Sequence, residues 1–456
     1  MSGDGPTLAE RRAEILRLVD EYVAAEAGER RPFTPGRSPV RYAGRVYDAA
    51  EVRSLVDAAL DFWLTAGPMA TRLEGLLAGY VGAAHCALVN SGSSANLLAL
   101  ATLTSPRLGE RRIEPGDEVI TVAAGFPTTV APIVQLGAVP VFVDVRAETA
   151  NVDVSMLEAA CSPRTKAVMV AHTLGNPFDV DAVLAFCRRH GLWLVEDNCD
   201  ALGSVYASEV LGSARRTGSF GDLSTSSFYP AHHMTTGEGG AVYTSNDELA
   251  AIVESLRDWG RDCYCKSGRD NTCGKRFAQQ FGQLPPGYDH KFVYSHFGFN
   301  LKMTDLQAAV GVAQVDKLDG FVAARRRNHE RLRSALADLS DDLAVPVATP
   351  KSRPSWFGFL MVPRRSPRAE LTRHLEAARV QTRTLFAGNL VRQPCFDDLR
   401  GTGRYRVVGD LAVTDHLMEQ AVWVGVYPGL TDEQLDYVAT TVRRSLVARP
   451  AVASAV

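Results

Sequence analysis

Residues 166–197 read KAVMVAHTLGNPFDVDAVLAFCRRHGLWLVED, and this stretch decides the fold class. Two short β-rich runs, KAVMVAH and LWLVED, flank the helical run AVLAFCRRH. A strand, a helix and a second strand in this order form a βαβ unit, whose two strands lie parallel in one sheet. The same alternation continues through the runs CALVN, DEVITV, VPVFVDV, LSTSSFY and AVYTS. The sequence therefore predicts an α/β protein with a mainly parallel sheet that helices cover.

Composition and charge narrow the range of partners. The 456 residues are 46% hydrophobic and 22% charged, with a formal net charge of −3. A charge so close to zero gives no electrostatic reason to expect nucleic acid or an anionic membrane as a partner. No apolar run approaches the roughly 18 residues that span a bilayer. The first apolar stretch contains acids and arginines, unlike a secretory signal, so we expect a cytoplasmic protein.

The pattern divides the chain into three parts. Residues 1–50 read as a helical arm and a connector. Residues 51–320 form the expected large domain, and residues 321–456 form a smaller C-terminal α/β domain. Residues 255–295 interrupt the large domain with a polar, glycine-rich insert that has no periodicity. A long irregular insert in a compact domain is usually functional.

The cysteines predict a metal site in that insert. The chain has eight cysteines, which in a cytosolic protein are expected to be thiols. Cys263, Cys265 and Cys273 fall within eleven residues of the insert, and Cys199 lies 64 positions before Cys263. Four thiolates suit either structural zinc or an iron–sulfur cluster. Zinc usually takes paired C-x2–4-C knuckles, so the spacing favours the cluster, and zinc remains the alternative.

Three motifs place candidate ligand-binding groups after predicted strands. Gly92 and Ser93 form a turn whose N–H groups open a helix and attract phosphate, although Ser and Gly also serve simply as helix caps. Asp197 ends the strand LWLVED, at the sheet edge where α/β proteins bind ligands, or else it is a turn residue. Phe126 follows DEVITV, where an aromatic ring either stacks on a planar ligand or joins the core.

Residues 226–240 read SSFYPAHHMTTGEGG and hold two adjacent histidines, His232 and His233. There is no lysine between Lys166 and Lys266. The unperturbed pKa of a histidine, about 6.5, suits proton transfer near neutral pH, which favours His232 as an acid–base group. Solvated histidines, hydrogen-bonded core histidines and zinc ligands are the alternatives for this pair.

Together these segments resemble the DegT-type sugar aminotransferase family over about residues 8–445. The likeness is closer to its NDP-4-keto-6-deoxyhexose 3-dehydratases, of the CDP-4-keto-6-deoxyglucose-3-dehydrase type. His232 stands where the family has its Schiff-base lysine, and the cysteines follow the pattern C-x63-C-x-C-x7-C. The resemblance implies the aspartate aminotransferase fold (type I, pyridoxal phosphate), with a large mainly parallel sheet domain and a smaller C-terminal α/β domain.

The resemblance also implies a site for pyridoxal or pyridoxamine 5'-phosphate. Asp197 is expected to pair with the pyridine nitrogen, and Phe126 to stack on the ring. The phosphate is expected to contact Gly92, Ser93 and Ser227. An asparagine matching Asn300 reaches the phosphate from the partner subunit in this family, so a homodimer with shared active sites is implied.

The remaining implied site residues concern the metal and the substrate. The resemblance to the 3-dehydratase subgroup implies a [2Fe–2S] cluster that Cys199, Cys263, Cys265 and Cys273 hold. The side of the cavity that faces the sugar nucleotide is expected to include Asp200, Tyr229 and Arg392.

A histidine at position 232 cannot form a lasting imine with the cofactor aldehyde, so the expected cofactor is the amine, pyridoxamine phosphate. The implied activity is C3 deoxygenation of a nucleotide-linked 4-keto-6-deoxyhexose in deoxysugar biosynthesis. His232 acts as the base, and a reductase or ferredoxin delivers electrons through the cluster. The alternatives are a cluster-independent dehydratase that uses glutamate and a zinc-stabilised, non-catalytic binding protein. The nucleotide is open among CDP, dTDP and others.

Overall fold

Helices and strands alternate along residues 5–29 and 32–447, which the computed structural model describes. The helices are α1 (Leu8–Gly28), α2 (Ala49–Asp61), α3 (Pro68–Val81), α4 (Gly92–Thr102), α5 (Pro127–Gln135), α6 (Leu157–Ala160), α7 (Val180–His190), α8 (Asp247–Arg257), α9 (Asp305–Val315), α10 (Leu318–Ala335), α11 (Arg368–Ala377), α12 (Ala412–Gln420) and α13 (Asp432–Val447). The strands are β1 (His85–Val89), β2 (Glu118–Val122), β3 (Val139–Val143), β4 (Thr165–Ala171), β5 (Trp193–Asp197), β6 (Val205–Ser208), β7 (Ser213–Arg216), β8 (Leu223–Ser227), β9 (Gly240–Thr244), β10 (Leu343–Ala344), β11 (Ser352–Arg353), β12 (Gly358–Pro363), β13 (Arg383–Thr384), β14 (Arg406–Val407) and β15 (Val422–Gly425).

The seven runs that the sequence predicts as strands all lie in one sheet, with the order β1-β9-β8-β5-β4-β2-β3-β14. Only β9 runs against its neighbours, and the other adjacent pairs are parallel. Every residue of β2, β5, β8 and β9 is buried, as expected for strands that are covered on both faces. The predicted α/β fold with a mainly parallel sheet is confirmed.

The unit at residues 166–197 shows how the chain builds the edge of this sheet. Asp179 caps the N-terminus of α7, and its carboxylate accepts from the Ala182 N–H at 3.1 Å. Gly191 follows the last residue of the helix, and its φ of 66° is left-handed and favours glycine. Strands β4 and β5 then pair in parallel, with Ala171 opposite Asp197. Asp197 therefore stands at the carboxyl edge, as the sequence predicts.

The C-terminal part forms a second core around the sheet β10-β12-β15-β13, which α10, α11 and α13 cover. The proposed boundary at residue 320 falls inside α10, which therefore spans both cores. Strand β14, although it lies within residues 321–456, pairs with β3 of the large sheet. The chain thus returns to the first core after it has begun the second.

The insert was predicted at residues 255–295, but its first three residues belong to the last turn of α8. The irregular segment runs from residue 258 to residue 304, with no helix or strand apart from a three-residue 3-10 turn at His290–Phe292, and is called the insert from here on. Its two ends are held together by the pairs Asp258–Asn300 and Arg261–Tyr294. Gly260 has a φ of 85°, and a Cβ there would lie 1.9 Å from the His296 carbonyl oxygen. The base of the predicted irregular insert is therefore tightly closed.

A membrane-spanning helix was not expected. Among the described residues, none of the helices combines the length and the apolar character that crossing a bilayer requires.

Candidate active site

A cavity of about 600 Å³ opens at the carboxyl edge of the large sheet. The opposite wall includes Arg383 of β13, Trp423 of β15 and Phe357, which immediately precedes β12. The cavity thus lies between the large sheet and the second sheet. Nine of the residues that the sequence analysis selects line it: Gly92, Ser93, Phe126, Asp197, Cys199, Asp200, Ser227, Tyr229 and His232.

The turn before α4 packs directly against the end of β8. The Ser91 hydroxyl accepts from the Ser94 N–H at 3.1 Å and caps the helix. A Cβ on Gly92 would lie 2.3 Å from the Ser227 Cβ, so only glycine permits this approach. The N–H groups that open α4, with the nearby serine hydroxyls, form a concave surface suited to an anion. Gly92, Ser93 and Ser227 are therefore brought together as expected.

Three donors fix the Asp197 carboxylate at the floor of the cavity. Its Oδ2 accepts from Asn96 Nδ2 at 2.9 Å and from Thr129 Oγ1 at 2.7 Å. Its Oδ1 accepts from the Cys199 N–H at 3.1 Å. The sequence analysis missed Asn96 and Thr129. The sequence signal for Asn96 is a single amide at the start of the apolar run ANLLALATL, and an amide that is buried there requires a partner.

Phe126 does not join the core, since 54% of the residue is exposed. It immediately precedes α5, and its ring meets that of Phe386 edge to face, with centroids 6.3 Å apart. An exposed aromatic face in a cavity wall suits contact with a planar ring. The stacking alternative of the sequence analysis is the one that this position favours.

His232 lies in the turn after β8, beside Asp200. Its Nε2 is 3.4 Å from Asp200 Oδ1, and its ring packs against Phe357 with centroids 5.3 Å apart. Burial raises the pKa of Asp200, and the hydrogen bond with His232 opposes that rise. Nδ1 of His232 is buried without a protein partner. No lysine lines the cavity within the described ranges.

His233 has different surroundings from its neighbour. It is buried, and its Nε2 lies 2.8 Å from the Ser355 carbonyl oxygen. Burial, together with the charge of Arg325, lowers the pKa of His233 well below its usual value. His233 is therefore a neutral core histidine, and the two histidines do not act as a pair of metal ligands.

Arg325 of α10 supports the histidine turn from behind. Its buried guanidinium donates to the carbonyl oxygens of Ala231 and His232 at 3.3 and 3.0 Å. It also donates to those of Trp356 and Phe357, both at 3.3 Å. Burial lowers the pKa of Arg325 to about 10. The sequence analysis missed it because ARRRNHERLR reads as an ordinary charged helix surface.

Comparison with known proteins accords with this arrangement. The model of the DegT/DnrJ/EryC1/StrS aminotransferase family matches residues 46–443. The chain belongs to this family.

Two curated members of the family are each 52% identical to the chain. The lipopolysaccharide biosynthesis protein RfbH of Salmonella typhimurium aligns over 432 residues, 94% of this chain and 96% of that protein. The dTDP-4-dehydro-2,6-dideoxy-D-glucose 3-dehydratase of Saccharopolyspora spinosa aligns over 431 residues, 94% of this chain and 90% of that protein. A solved GDP-4-keto-6-deoxymannose-3-dehydratase with a trapped PLP–glutamate geminal diamine is 26% identical, with a TM-score of 0.76, and covers 88% of this chain and 100% of its own. These likenesses confirm the aminotransferase fold.

Two residues that the family resemblance assigns to the site lie outside the cavity. Arg392 pairs with Asp415, with Nε 2.6 Å from Oδ1, while its neighbour Gln393 lines the wall instead. Asn300 is exposed at the base of the insert, opposite Asp258. The structure therefore does not place Arg392 towards a substrate in the cavity, and Asn300 does not reach the cavity of its own chain.

The four predicted metal ligands are divided between two places. Cys199 lines the large cavity, whereas Cys263, Cys265 and Cys273 share a small cavity in the insert with His290. Within the part of the chain that the structure describes, no three His, Cys, Asp or Glu side chains are arranged to hold a metal ion. The predicted four-cysteine set therefore does not assemble within one chain, either for a cluster or for zinc.

Proposed function

We propose that this protein removes the C3 oxygen from a nucleotide-linked 4-keto-6-deoxyhexose, with pyridoxamine or pyridoxal phosphate in the cavity. The observation that carries the proposal is His232, which lines the cavity while no lysine does so in the described ranges. Amino transfer by this family needs a lysine that forms an imine with the cofactor, and a histidine does not form one. The 52% identity to a sugar 3-dehydratase supports the same reaction class.

The residues present fit this cofactor. The close contact between Gly92 and Ser227 forms an anion cradle for its phosphate, and Phe126 offers an aromatic face for its ring. The fixed carboxylate of Asp197 suits a protonated pyridine nitrogen. When bound there, the cofactor supplies an electron sink for a carbanion next to its amine.

In the proposed reaction His232 is the general base. Asp200 faces its Nε2, so the carboxylate stabilises the imidazolium once the ring has taken up a proton. Arg325 and Ser355 hold the backbone and side chain of the histidine turn and keep the ring towards the cavity. Tyr229, three residues earlier and 48% exposed, lies at the cavity mouth, where substrate enters.

The overall deoxygenation reaction requires a reductant. Replacing the C3 hydroxyl by hydrogen consumes two electrons and two protons and releases water. We propose an electron-donating reductase or ferredoxin as the partner and a [2Fe–2S] cluster as the carrier. No catalytic step is assigned to the cluster here, because its four ligands do not meet within one chain.

The test is product analysis. The purified protein is incubated with pyridoxamine phosphate, a chemical or protein reductant, and CDP- or dTDP-linked 4-keto-6-deoxyhexoses, and the sugar is identified by mass spectrometry and NMR. We expect a 3-deoxy-4-keto sugar whose formation depends on the reductant. An amino sugar formed from glutamate would contradict the proposal.

A second candidate is a cluster-independent 3-dehydratase that takes its amine from glutamate. It is favoured by the likeness to the solved dehydratase that traps a PLP–glutamate adduct. The two candidates consume different co-reactants: the cluster-independent dehydratase requires glutamate, whereas the first candidate requires an electron-donating reductant. Omission of each component in turn from the same assay separates them.

A further inference from the structure

We propose that the four thiols of the predicted cluster meet only between two copies of this chain. Cys199 of one protomer would join Cys263, Cys265 and Cys273 of its partner, so that each [2Fe–2S] cluster bridges the two chains at the mouth of a cavity. This inference deepens the proposed function and rests on it.

The first support is the distance between the two ligand sets. Cys199 follows β5, the fourth strand of the sheet, whereas the base of the insert packs at the edge strand β1, where Arg257 donates to the Leu88 carbonyl oxygen at 3.2 Å. Lys266 of the insert pairs with Glu254 of α8 at 3.2 Å, and a Cβ on Gly268 would touch the Trp63 ring at 2.8 Å. Three strand spacings alone amount to about 14 Å.

The second support is the fixed base of the insert. Arg257, at the end of α8, is buried and pairs with Glu74 at 2.8 Å. The pair Arg261–Tyr294 closes the base four residues later. Cys263 lies two residues beyond Arg261, so an extended chain carries it at most about 7 Å from that anchor. The closed base therefore fixes Cys263 on the β1 side of the sheet, in the small cavity and outside the large cavity that Cys199 lines.

The third support is the surface of the insert. Phe297 is fully exposed, and Phe292 and Tyr294 are half exposed beside it. Exposed aromatic patches mark surfaces that another molecule covers. The cavity mouth carries a further exposed aromatic side chain, Tyr229, which is 48% exposed. In a twofold dimer, the insert of each chain can contact the cavity mouth of the other chain, so the same contact occurs twice. Each insert then covers the cavity of the other chain.

The same contact would bring two groups of the insert, Asn300 and the three cysteines, to the cavity of the other chain. Asn300, exposed at its base, and the three cysteines are all absent from the cavity of their own chain. On the receiving side Ser227 and Cys199 are close neighbours, because each lies two residues beyond the paired positions Thr225 and Asp197. One docked insert can therefore approach both.

The insert also carries charge of the right sign for a cluster. Four thiolates around two irons leave a net negative charge, which is stabilised by nearby cations. Arg276 and Lys291 line the small cavity that holds the three sulfur atoms. The site is thus prepared on the side of the insert and lacks only the fourth thiolate.

The test is complementation between two variants that each lack one half of the ligand set. Chains with Cys199→Ser and chains with Cys263→Ser are co-expressed with different tags, and the mixed dimer is purified through both tags without oxygen. After reconstitution with ferrous iron and sulfide, bound iron, bound sulfide and the EPR signal after dithionite reduction are measured. Cys161→Ser, at a cysteine outside both cavities, is the matched control.

We expect the mixed dimer to hold half the iron and sulfide of the wild-type dimer, because one of its two interfaces joins an intact Cys199 to an intact insert. Each variant alone should hold no cluster. An empty mixed dimer would overturn the proposal in favour of ligation within one chain. A full content in Cys199→Ser alone would overturn it in favour of a set completed by His290, whose Nδ1 lies 3.8 Å from the Cys273 sulfur.

The proposed function is tested separately in the same samples. Loss of the C3 oxygen in a single turnover, measured without a reductant, depends on the cavity and not on the cluster. If Cys263→Ser, which leaves the lining of the large cavity unchanged, still expels this oxygen while the mixed dimer is empty, the bridging site fails and the proposed function stands. A wild-type protein that binds no iron, or that binds it as a monomer, would overturn the bridging site.

Discussion

At the residue scale, the proposed function rests on the pair of His232 and Asp200. The imidazole and the carboxylate are 3.4 Å apart, and both side chains are 16% exposed. A base that is placed this way can take up a proton next to a counter-charge, yet it cannot hold a carbonyl compound covalently. In the proposed function, the identity of this one side chain therefore favours deoxygenation over amino transfer.

Replacing His232 by lysine should abolish deoxygenation and allow imine formation with the cofactor. We expect His232→Lys to lose deoxygenation by roughly 10²–10⁴-fold, the usual contribution of a positioned base. With pyridoxal phosphate the variant should form an imine, seen as visible absorption that borohydride reduction makes covalent. His232→Asn is the control, since it removes the base without adding an amine. Unchanged deoxygenation in the lysine variant would show that His232 is not the base.

Asp200 is expected to act through His232. Asp200→Asn keeps the size of the side chain and removes the charge that stabilises the imidazolium. We expect kcat to fall by roughly tenfold or more, which corresponds to about 1.4 kcal/mol per factor of ten, with little change in cofactor affinity. Steady-state kinetics and a cofactor titration check both parts. A loss of cofactor binding with unchanged kcat would assign Asp200 to binding instead.

At the scale of single elements, the turn into α4 shapes the anion cradle. In Gly92→Ala the new Cβ would lie 2.3 Å from the Ser227 Cβ and push the turn away from β8. We expect the affinity for pyridoxamine phosphate to fall by roughly tenfold, equal to about 1.4 kcal/mol. Gly75→Ala in α3 is the matched control, because nothing lies within 4 Å of its Cβ. Equal affinities in the two variants would contradict a phosphate site at this turn.

Helix α10 buries polar groups, and one of them predicts how stability depends on pH. Burial lowers the pKa of His329 to about 3, and its ring stacks on Trp356 with centroids 3.9 Å apart. The unfolded chain binds a proton near the ordinary pKa of 6.5, whereas the folded chain does not. The free energy of unfolding should therefore be undiminished above this pH and should fall as the pH is lowered from it, by at most about 1.4 kcal/mol per unit for this group.

His329→Phe keeps an aromatic ring against Trp356 and removes the titrating group. We expect the variant to lose less stability than the wild type when the pH is lowered from 7 to 5. Urea unfolding at the two pH values measures the difference. An equal loss in both proteins would assign the pH dependence to other groups.

At the scale of the whole molecule, the sequence predicts the features that depend on local pattern. The alternation of buried strands and helices predicts seven strands of the large sheet, and turn chemistry predicts the groups at their ends. Strand β14 escapes such reasoning, since two residues carry no pattern and pair only because the chain returns to β3. Arg325 escapes it as well, because burial of one arginine in a charged helix is decided by the packing of the second core.

The cysteines of the insert show the same limit of prediction from local sequence pattern. The sequence predicts that Cys263, Cys265 and Cys273 belong together, and the structure places them in one small cavity. The sequence does not predict that Cys199 lies apart from these three cysteines, because that separation depends on the order of strands in the sheet. The geometry of the proposed contact between two chains is likewise not encoded by any pattern within a single chain.

The most direct test of C3 deoxygenation follows the oxygen itself. A nucleotide-linked 4-keto-6-deoxyhexose labelled with oxygen-18 at C3 is incubated with the enzyme, pyridoxamine phosphate and a reductant, and the label is located by mass spectrometry. We expect the label in water and a sugar that has lost the C3 oxygen without gaining nitrogen. Label retained at C3 in a sugar that carries a new amine at C4 would contradict the proposed function and show an aminotransferase.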